Sequence, residues 1–357
     1  LNLYIWYLPK RDNCKMANPK NLRFAFVKQE IHSDLYNCQH DADPATKILS
    51  SLSRVGPSGL FTLYDADFYV VKVDKAPECQ TWQEVRKRIQ NRRRLAERHK
   101  KYSISVDDVK WSDYDIVICL DISIPERIVK KYRRTLWCYM PTEPSCMASY
   151  KGPLRASYNA RLNQDVGRTI QTKFGVVCFP YSFIEPGSLK KLSTNHSGPQ
   201  KKDGVFVEYN WVQTSNKAMK IKGLGPVRTI VPAAGKRSQD PNTPYISAVD
   251  HRIRTIDRLC ASKFFLKYGG RIIRGNSIAE AMACNAVAVC KPSLIIYSQL
   301  LCKRARIKGL AEAIEFIKSV DETTRQQMIK RQNELMWSLL INRPIQSLMN
   351  LFELKRK

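Results

Sequence analysis

Long apolar runs are missing from this chain. No window comes near the ~18 uninterrupted apolar residues that a membrane-spanning helix needs. The opening run LNLYIWYL is too short for a signal-peptide core and has no basic stretch before it. Neither a spanning helix nor a secretory leader is therefore expected, and residues 1–15, which precede Met16, read as an N-terminal extension outside the fold. Cysteine is plentiful at 11, but no C-x-x-C occurs, the count is odd and the spacing irregular, which argues against a zinc ribbon or a disulfide scaffold. The nearest pairs, Cys138/Cys146 and Cys284/Cys290, lie in or beside apolar runs, where cysteine acts as a small hydrophobe. A reduced, cytoplasmic chain is the expectation, and the sequon Asn195-His196-Ser197 reads as chance. The sequence also lacks a P-loop, a G-x-S-x-G elbow, an H-E-x-x-H pair, internal repeats and sustained heptads. Gly223-x-Gly225 is followed by Pro226 and Arg228 and does not complete a dinucleotide fingerprint.

Acidic residues are scarce relative to basic ones. Against 60 Lys+Arg stand 32 Asp+Glu, a formal charge of +28 over 357 residues, while 43% hydrophobic content suffices for a real core and excludes global disorder. Such an excess speaks of anionic partners, not of fold. No tail carries it, since residues 1–200 hold 32 basic and 20 acidic side chains and residues 201–357 hold 28 and 12. The densest cluster is Arg86, Lys87, Arg88, Arg92, Arg93, Arg94, Arg98, Lys100 and Lys101. Trp82, Val85, Ile89 and Ala96 fall there at roughly helical spacing, predicting a helix with a narrow apolar stripe and a broad cationic face. A solvated face, a peripheral contact with an anionic membrane, and a phosphate-backbone contact with nucleic acid all fit it. Few aromatics are interleaved to stack bases, which weighs against the last.

Along the chain, short β-rich runs alternate with helical stretches, the pattern of parallel-sheet α/β folds. Strands are predicted at 22–27, 68–73, 114–122, 135–140 and 175–183, with helices at 43–55 and 125–134. The almost uninterrupted apolar run at 114–122 is the kind buried on both faces. Residues 186–203, rich in Gly, Pro, Ser and Lys, read as a linker. The alternation then restarts with strands at 204–210, 227–234, 262–268 and 286–290, helices through 248–260 and near 277–284, and closing helical segments at 309–319 and 322–341. The expected organisation is a doubly wound α/β domain over 16–185, a second one over 204–320 and a C-terminal helical segment over 321–357.

The most specific stretch is SKFFLKYGGRIIRGNSIAEAMACNAVAVCKP, residues 262–292. A strand runs into a Gly-rich loop, a short helix begins at Asn276 or Ser277, and Asn285 stands where a helix needs a left-handed C-terminal cap before the next strand. A helix N-terminus behind glycines at the carboxyl end of a parallel strand offers free N–H groups and a positive dipole end to an anion. With Arg271 and Arg274 flanking it, this is a candidate diphosphate site.

From Gly275 to Val289 the sequence resembles the nucleotide-sugar glycosyltransferases of the GT-B type, whose C-terminal domain carries a strand, a G-rich loop, an E-A-M-A-x-G-x-P-V helix and a strand. The resemblance implies two Rossmann-like domains facing a cleft. It implies that Glu280 accepts hydrogen bonds from the donor's ribose hydroxyls, and that the backbone of Gly275, Asn276, Ser277 and Ile278 contacts the diphosphate. Three positions depart from the family pattern: Ile272 stands where the E-x7-E form has its first glutamate, and Asn285 and Val287 replace the usual glycine and proline. Ser277-x-x-Glu280 is equally a capping box, in which Glu280 would only satisfy an N-cap N–H.

Lys236 and Arg237, after the run VPAAG, are candidates for neutralising the leaving diphosphate, and Asn210 stands at the end of the second domain's first strand, toward the expected cleft. In the N-terminal half, His32 and Asp34 follow the first strand, where open α/β sheets place ligands, and are candidates for the base that deprotonates an acceptor hydroxyl; Glu143 is another. No metal site is expected, and no cofactor beyond the nucleotide-diphosphate sugar as co-substrate. The reading is a glycosyltransferase acting on a glycan, lipid or protein hydroxyl. A basic nucleic-acid-binding protein and an inactive GT-B-like scaffold are the alternatives.

Overall fold

The computed structural model describes residues 18–29, 60, 63–72, 104–120, 124–140, 160–163, 177–178, 202–209, 221–229, 254–270, 272, 276–295 and 298–357. Seven strands form the first sheet: β1 (Phe24–Gln29), β2 (Asp67–Lys72), β3 (Ile104–Ser105), β4 (Ile116–Leu120), β5 (Leu136–Met140), β6 (Ala160–Asn163) and β7 (Val177–Cys178). They run parallel throughout, in the order β3-β2-β1-β4-β5-β6-β7. The sequence reason is plainest in β4, whose five residues IVICL are all buried. Ile116, Ile118 and Leu120 face one core, Val117 and Cys119 the other, so both faces are covered. Helix α1 (Glu126–Lys131) joins β4 to β5 and adds Ile128 and Val129 to the second of these cores.

The second sheet consists of β8 (Asp203–Val207), β9 (Val227–Thr229), β10 (Ser262–Lys267) and β11 (Val287–Cys290), also parallel, in the order β11-β10-β8-β9. Helix α2 (Asn276–Ala283) lies between β10 and β11, and the helical residues 254–260 precede β10. Both sheets are doubly wound, so the chain is α/β with two Rossmann-like units and C-terminal helices. Asp203 opens β8, at the last position of the stretch read as a linker. Gly204 has φ +55°, and a Cβ there would sit 2.0 Å from the Pro226 carbonyl oxygen, so the close pairing of β8 with β9 requires glycine.

Helices α3 (Leu310–Ser319) and α4 (Glu322–Met336) pack against the second sheet, contributing Ala313, Ile317, Met328 and Ile329 to one of its cores and Met336 to the other. A π-helical turn, Trp337–Asn342, then passes the chain to α5 (Arg343–Arg356). Pro344 stands in the first turn of α5, where it has no N–H to donate and its ring crowds the preceding turn; the backbone widens there and Arg343 N–H reaches the Ser338 carbonyl. Helix α5 buries Ile345, Leu348, Met349, Leu351 and Phe352 in the core of the first sheet. Lys355 Nζ donates to the Thr135 carbonyl before β5; burial holds its ammonium down at about 8. Among the described residues no helix is long and apolar enough to cross a membrane. The basic stretch 86–101 lies outside the described residues.

Candidate functional site

In an open parallel sheet the strands' carboxyl ends form a crevice where the winding changes direction. In the second sheet, β8 pairs with β9 on one side and with β10 on the other, so that point lies between β8 and β10. Two charged residues stand there: Glu208, directly after β8, and Lys267, the last residue of β10. Both are buried, at 1% and 0% exposure. Lys267 Nζ donates to the Tyr209 carbonyl at 2.8 Å, Glu208 N–H donates to the Leu266 carbonyl at 3.1 Å, and Lys291 N–H to the Lys267 carbonyl at 2.8 Å. The ends of β8, β10 and β11 are thereby tied together.

Cys290 closes β11 in register with Lys267. Burial first, and then the negative charge of Glu208, push its thiol well above the usual cysteine range, with Lys267 acting the other way. By strand alternation Glu208, Lys267 and Cys290 share the sheet face of Phe206, Phe265 and Ala288, against which Ile278, Ala279, Ala281 and Met282 of α2 pack. The loop after β10 begins with Tyr268 and Gly269. The rings of Tyr209 and Tyr268 lie 5.4 Å apart, and a Cβ on Gly269 would come 2.4 Å from Tyr209 Cε2, so the glycine is required by the aromatic ring laid over it. Ile272, farther along the loop, is 60% exposed.

Helix α2 follows. It opens at Asn276, which makes Ser277 its second residue and Glu280 its fifth. Glu280 thus stands in the second turn of the helix. The carboxylate is buried at 2% exposure among Ile278, Ala279, Ala281, Met282 and Ala283 of the same helix, which are apolar core. Ile278 is fully buried and Ser277 half-buried. At the other end Asn285 has φ +56°, Asn285 N–H bonds the Met282 carbonyl and Ala286 N–H the Ala281 carbonyl, both at 2.9 Å, a Schellman cap with Asn in the left-handed position. Lys202 Nζ donates to the carbonyls of Cys284 and Cys260, each at 2.6 Å, placing a cation at the carboxyl ends of α2 and of helix 254–260.

Of the residues singled out in the sequence, the structure places Glu280, Ser277, Ile278 and the backbone of Asn276 on α2 at this crevice. Gly275, Arg271, Arg274, Asn210, Lys236, Arg237, His32, Asp34 and Glu143 lie outside the described residues. Glu208 and Lys267 were missed by sequence reasoning. The only signal was a charge closing each of two apolar runs, GVFVE and KFFLK, and its meaning depends on the two strands being neighbours. Among the described residues no group of three or more His, Cys, Asp or Glu side chains could hold a metal ion, and the described cysteines are free thiols.

No protein-family model matches the chain, and no curated protein does. Among solved structures it is similar to a β-glucosyltransferase described as a DNA modifying enzyme, at 12% identity and TM-score 0.40 over 93% of this chain and 100% of that one. It is also similar to T4 phage BGT in complex with its UDP-glucose substrate, at 11% identity and TM-score 0.37 over 94% and 99% of the two chains. A UDP-forming α,α-trehalose-phosphate synthase from Burkholderia vietnamiensis is similar at 8% identity and TM-score 0.42 over 93% and 95%. The order of the strands follows from their pairing alone.

Proposed function

We propose that the chain is a glycosyltransferase that takes a sugar from a nucleotide-diphosphate donor held at the carboxyl edge of the second sheet. The observation that carries this reading is Glu280: a carboxylate buried on a short apolar helix that begins just past a Gly-rich loop, beside the crevice between β8 and β10. In this reading Glu280 accepts from the ribose hydroxyls, and the first N–H groups of α2, from Asn276 to Ile278, face the diphosphate, where free amides and the helix dipole stabilise the charge that grows as the sugar departs. Ile272 offers an apolar surface to the ligand. Lys267 sets the backbone after β8 through the Tyr209 carbonyl, and so shapes the crevice floor. His32, Asp34 and Glu143 remain the proposed bases for the acceptor hydroxyl, and Arg271, Arg274, Lys236 and Arg237 the proposed counter-charges.

A second reading, nucleic-acid binding, has one observation in its favour. From residue 281 to 311 the chain has no acidic residue, yet it carries Lys291, Lys303, Arg304, Arg306 and Lys308, the last four exposed, in the segment that follows β11. Arg306 bridges to Cys290, so this cationic strip borders the same edge of the sheet.

Thermal unfolding with UDP, GDP, ADP, CMP and their sugar conjugates separates the two. A ligand at about 100 times its dissociation constant adds about 2.7 kcal/mol and moves the midpoint by several degrees. One nucleotide is expected to do so for the natural protein and not for Glu280→Gln, whose unliganded midpoint stays within a few degrees. No response to any nucleotide, together with DNA or RNA affinity that falls steeply with salt and ignores Glu280→Gln, would transfer the assignment to the second reading.

A further inference from the structure

The opposite end of the second sheet carries a second constellation that the donor reading does not use. A cavity of about 290 Å³ opens at the amino ends of β8 and β10, lined by Gly204, Gly223, Lys263, Lys318, Glu322 and Arg325 with apolar residues around them. Three of these side chains are cations and one is a carboxylate, a balance of 3 − 1 = +2. The carboxylate is already engaged: Arg325 Nε donates to Glu322 Oε2 at 3.0 Å and Nη2 to Oε1 at 2.5 Å, and Lys263 Nζ lies 3.7 Å from Glu322 Oε2. This fork holds the Glu322 carboxyl down at about 2.

What the fork leaves over is the informative part. Arg325 is 5% exposed, and its third nitrogen, Nη1, is shielded from solvent and meets no hydrogen-bond acceptor among the described residues. A guanidinium edge buried without an acceptor is costly and calls for a partner. Lys318 reaches the same space from the end of α3. Gly223 makes room for it, since a Cβ there would come 3.1 Å from Lys318 Nζ. Helix α4 begins at this cavity too, with Asp321 as its N-cap accepting from Thr324 N–H at 2.7 Å.

We infer that this cavity is a binding site for a phosphate-type dianion, held by Lys263, Lys318 and Arg325, separate from the crevice at the carboxyl edge. The charge balance matches a doubly negative group, Arg325 Nη1 is a cationic donor left over by the fork to Glu322, and the volume suits a free phosphate or the monophosphate of a small sugar. Because Glu322 is locked to Arg325, it orients the guanidinium instead of competing for it. Occupancy would join α3, α4 and the amino ends of β8 and β10 around one ligand.

The test is isothermal titration calorimetry of the full chain with inorganic phosphate and with a hexose monophosphate, each against sodium chloride of equal ionic strength. Calorimetry is preferred because phosphate stabilises folded proteins generally by exclusion from their surface, which would blur a thermal assay. Saturable binding is expected, weakened about fivefold or more by Lys318→Met and by Lys263→Met, whose side chains are exposed enough to leave the fold intact. Tighter binding of the hexose monophosphate identifies an ester as the ligand; equal binding identifies free phosphate. Lys318→Met and Lys263→Met leave the nucleotide-induced midpoint shift unchanged, which keeps this site's outcome distinct from that of the donor site. Absence of saturable heat above the chloride control, or binding indifferent to both lysine variants, overturns the inference.

Discussion

Asn285 shows what one residue decides. It sits at φ +56° between the last turn of α2 and the first residues of β11, and its Oδ1 accepts from Asn333 Nδ2 at 3.3 Å. A β-branched residue there must adopt a left-handed conformation that it resists, so Asn285→Val should cost about 1–2 kcal/mol in urea unfolding. Asn285→Gly should stay within a few tenths, losing the Asn333 contact but easing the backbone. This residue was legible in the sequence because the signal is local: a helix pattern, an Asn and a strand pattern in immediate succession. Glu280 was legible as important but open in role, since the same S-x-x-E spacing serves a helix cap and a ligand contact. Glu208 and Lys267 were not legible. They are 59 residues apart in the chain and acquire meaning only when β8 and β10 pair. Lys202 was hidden for a similar reason: in a run of Lys, Gly and Pro nothing announces that one ammonium will bind the ends of two helices.

At the scale of elements, β11 is the outermost named strand of the second sheet; Arg306 and Ile307 cover its end at Cys290, and a side chain manages the rest of its edge. Gln332 of α4, fully buried, accepts from Ala288 N–H at 2.7 Å and donates to the Ala286 carbonyl at 3.2 Å, imitating the strand that is not there. Gln332→Leu keeps the volume and strands two buried backbone groups, for an expected loss of about 2–4 kcal/mol in chemical denaturation. Helix α4 also sets an acid limb of stability. The Glu322 carboxyl is held at about 2 against an ordinary 4.5 by Arg325 and Gln326, so its contribution is complete above pH 4.5 and is lost as pH falls toward 2. Urea midpoints of the natural protein and Glu322→Gln should therefore differ at pH 5.5 and converge by pH 2. Helix and strand positions in this half followed from periodicity to within a few residues. The short strands β3 and β6 did not, because two to four residues carry too little pattern to register.

At the scale of the whole molecule, the segment 322–356 belongs to both sheets. Helix α4 and, in the π turn, Leu339 and Leu340 are packed on the second sheet, while Trp337, Ile341 and α5 join a core of the first. Removing residues 343–357 withdraws Ile345, Leu348, Met349, Leu351 and Phe352 from that core. At about 1.5–3 kcal/mol for each buried side chain, the loss is on the order of 7–15 kcal/mol, as large as the stability of a typical domain. The truncated chain should show no cooperative near-UV circular dichroism transition from the first sheet. The return of the C-terminus to the opening sheet could not be foreseen from the sequence. An amphipathic helix states that it has a partner, and not which of two apolar faces that partner is. The arrangement also imposes a schedule on synthesis. When β7 has been made, one face of the first sheet still waits for a helix about 165 residues away. At about 5–20 residues per second that is on the order of ten to thirty seconds on the ribosome. Through that interval Phe24, Phe26, Phe68 and Ile118 have no α5 to cover them. The second sheet, whose helices follow it closely in sequence, can close first, leaving the earliest strands made to be the last to find their core.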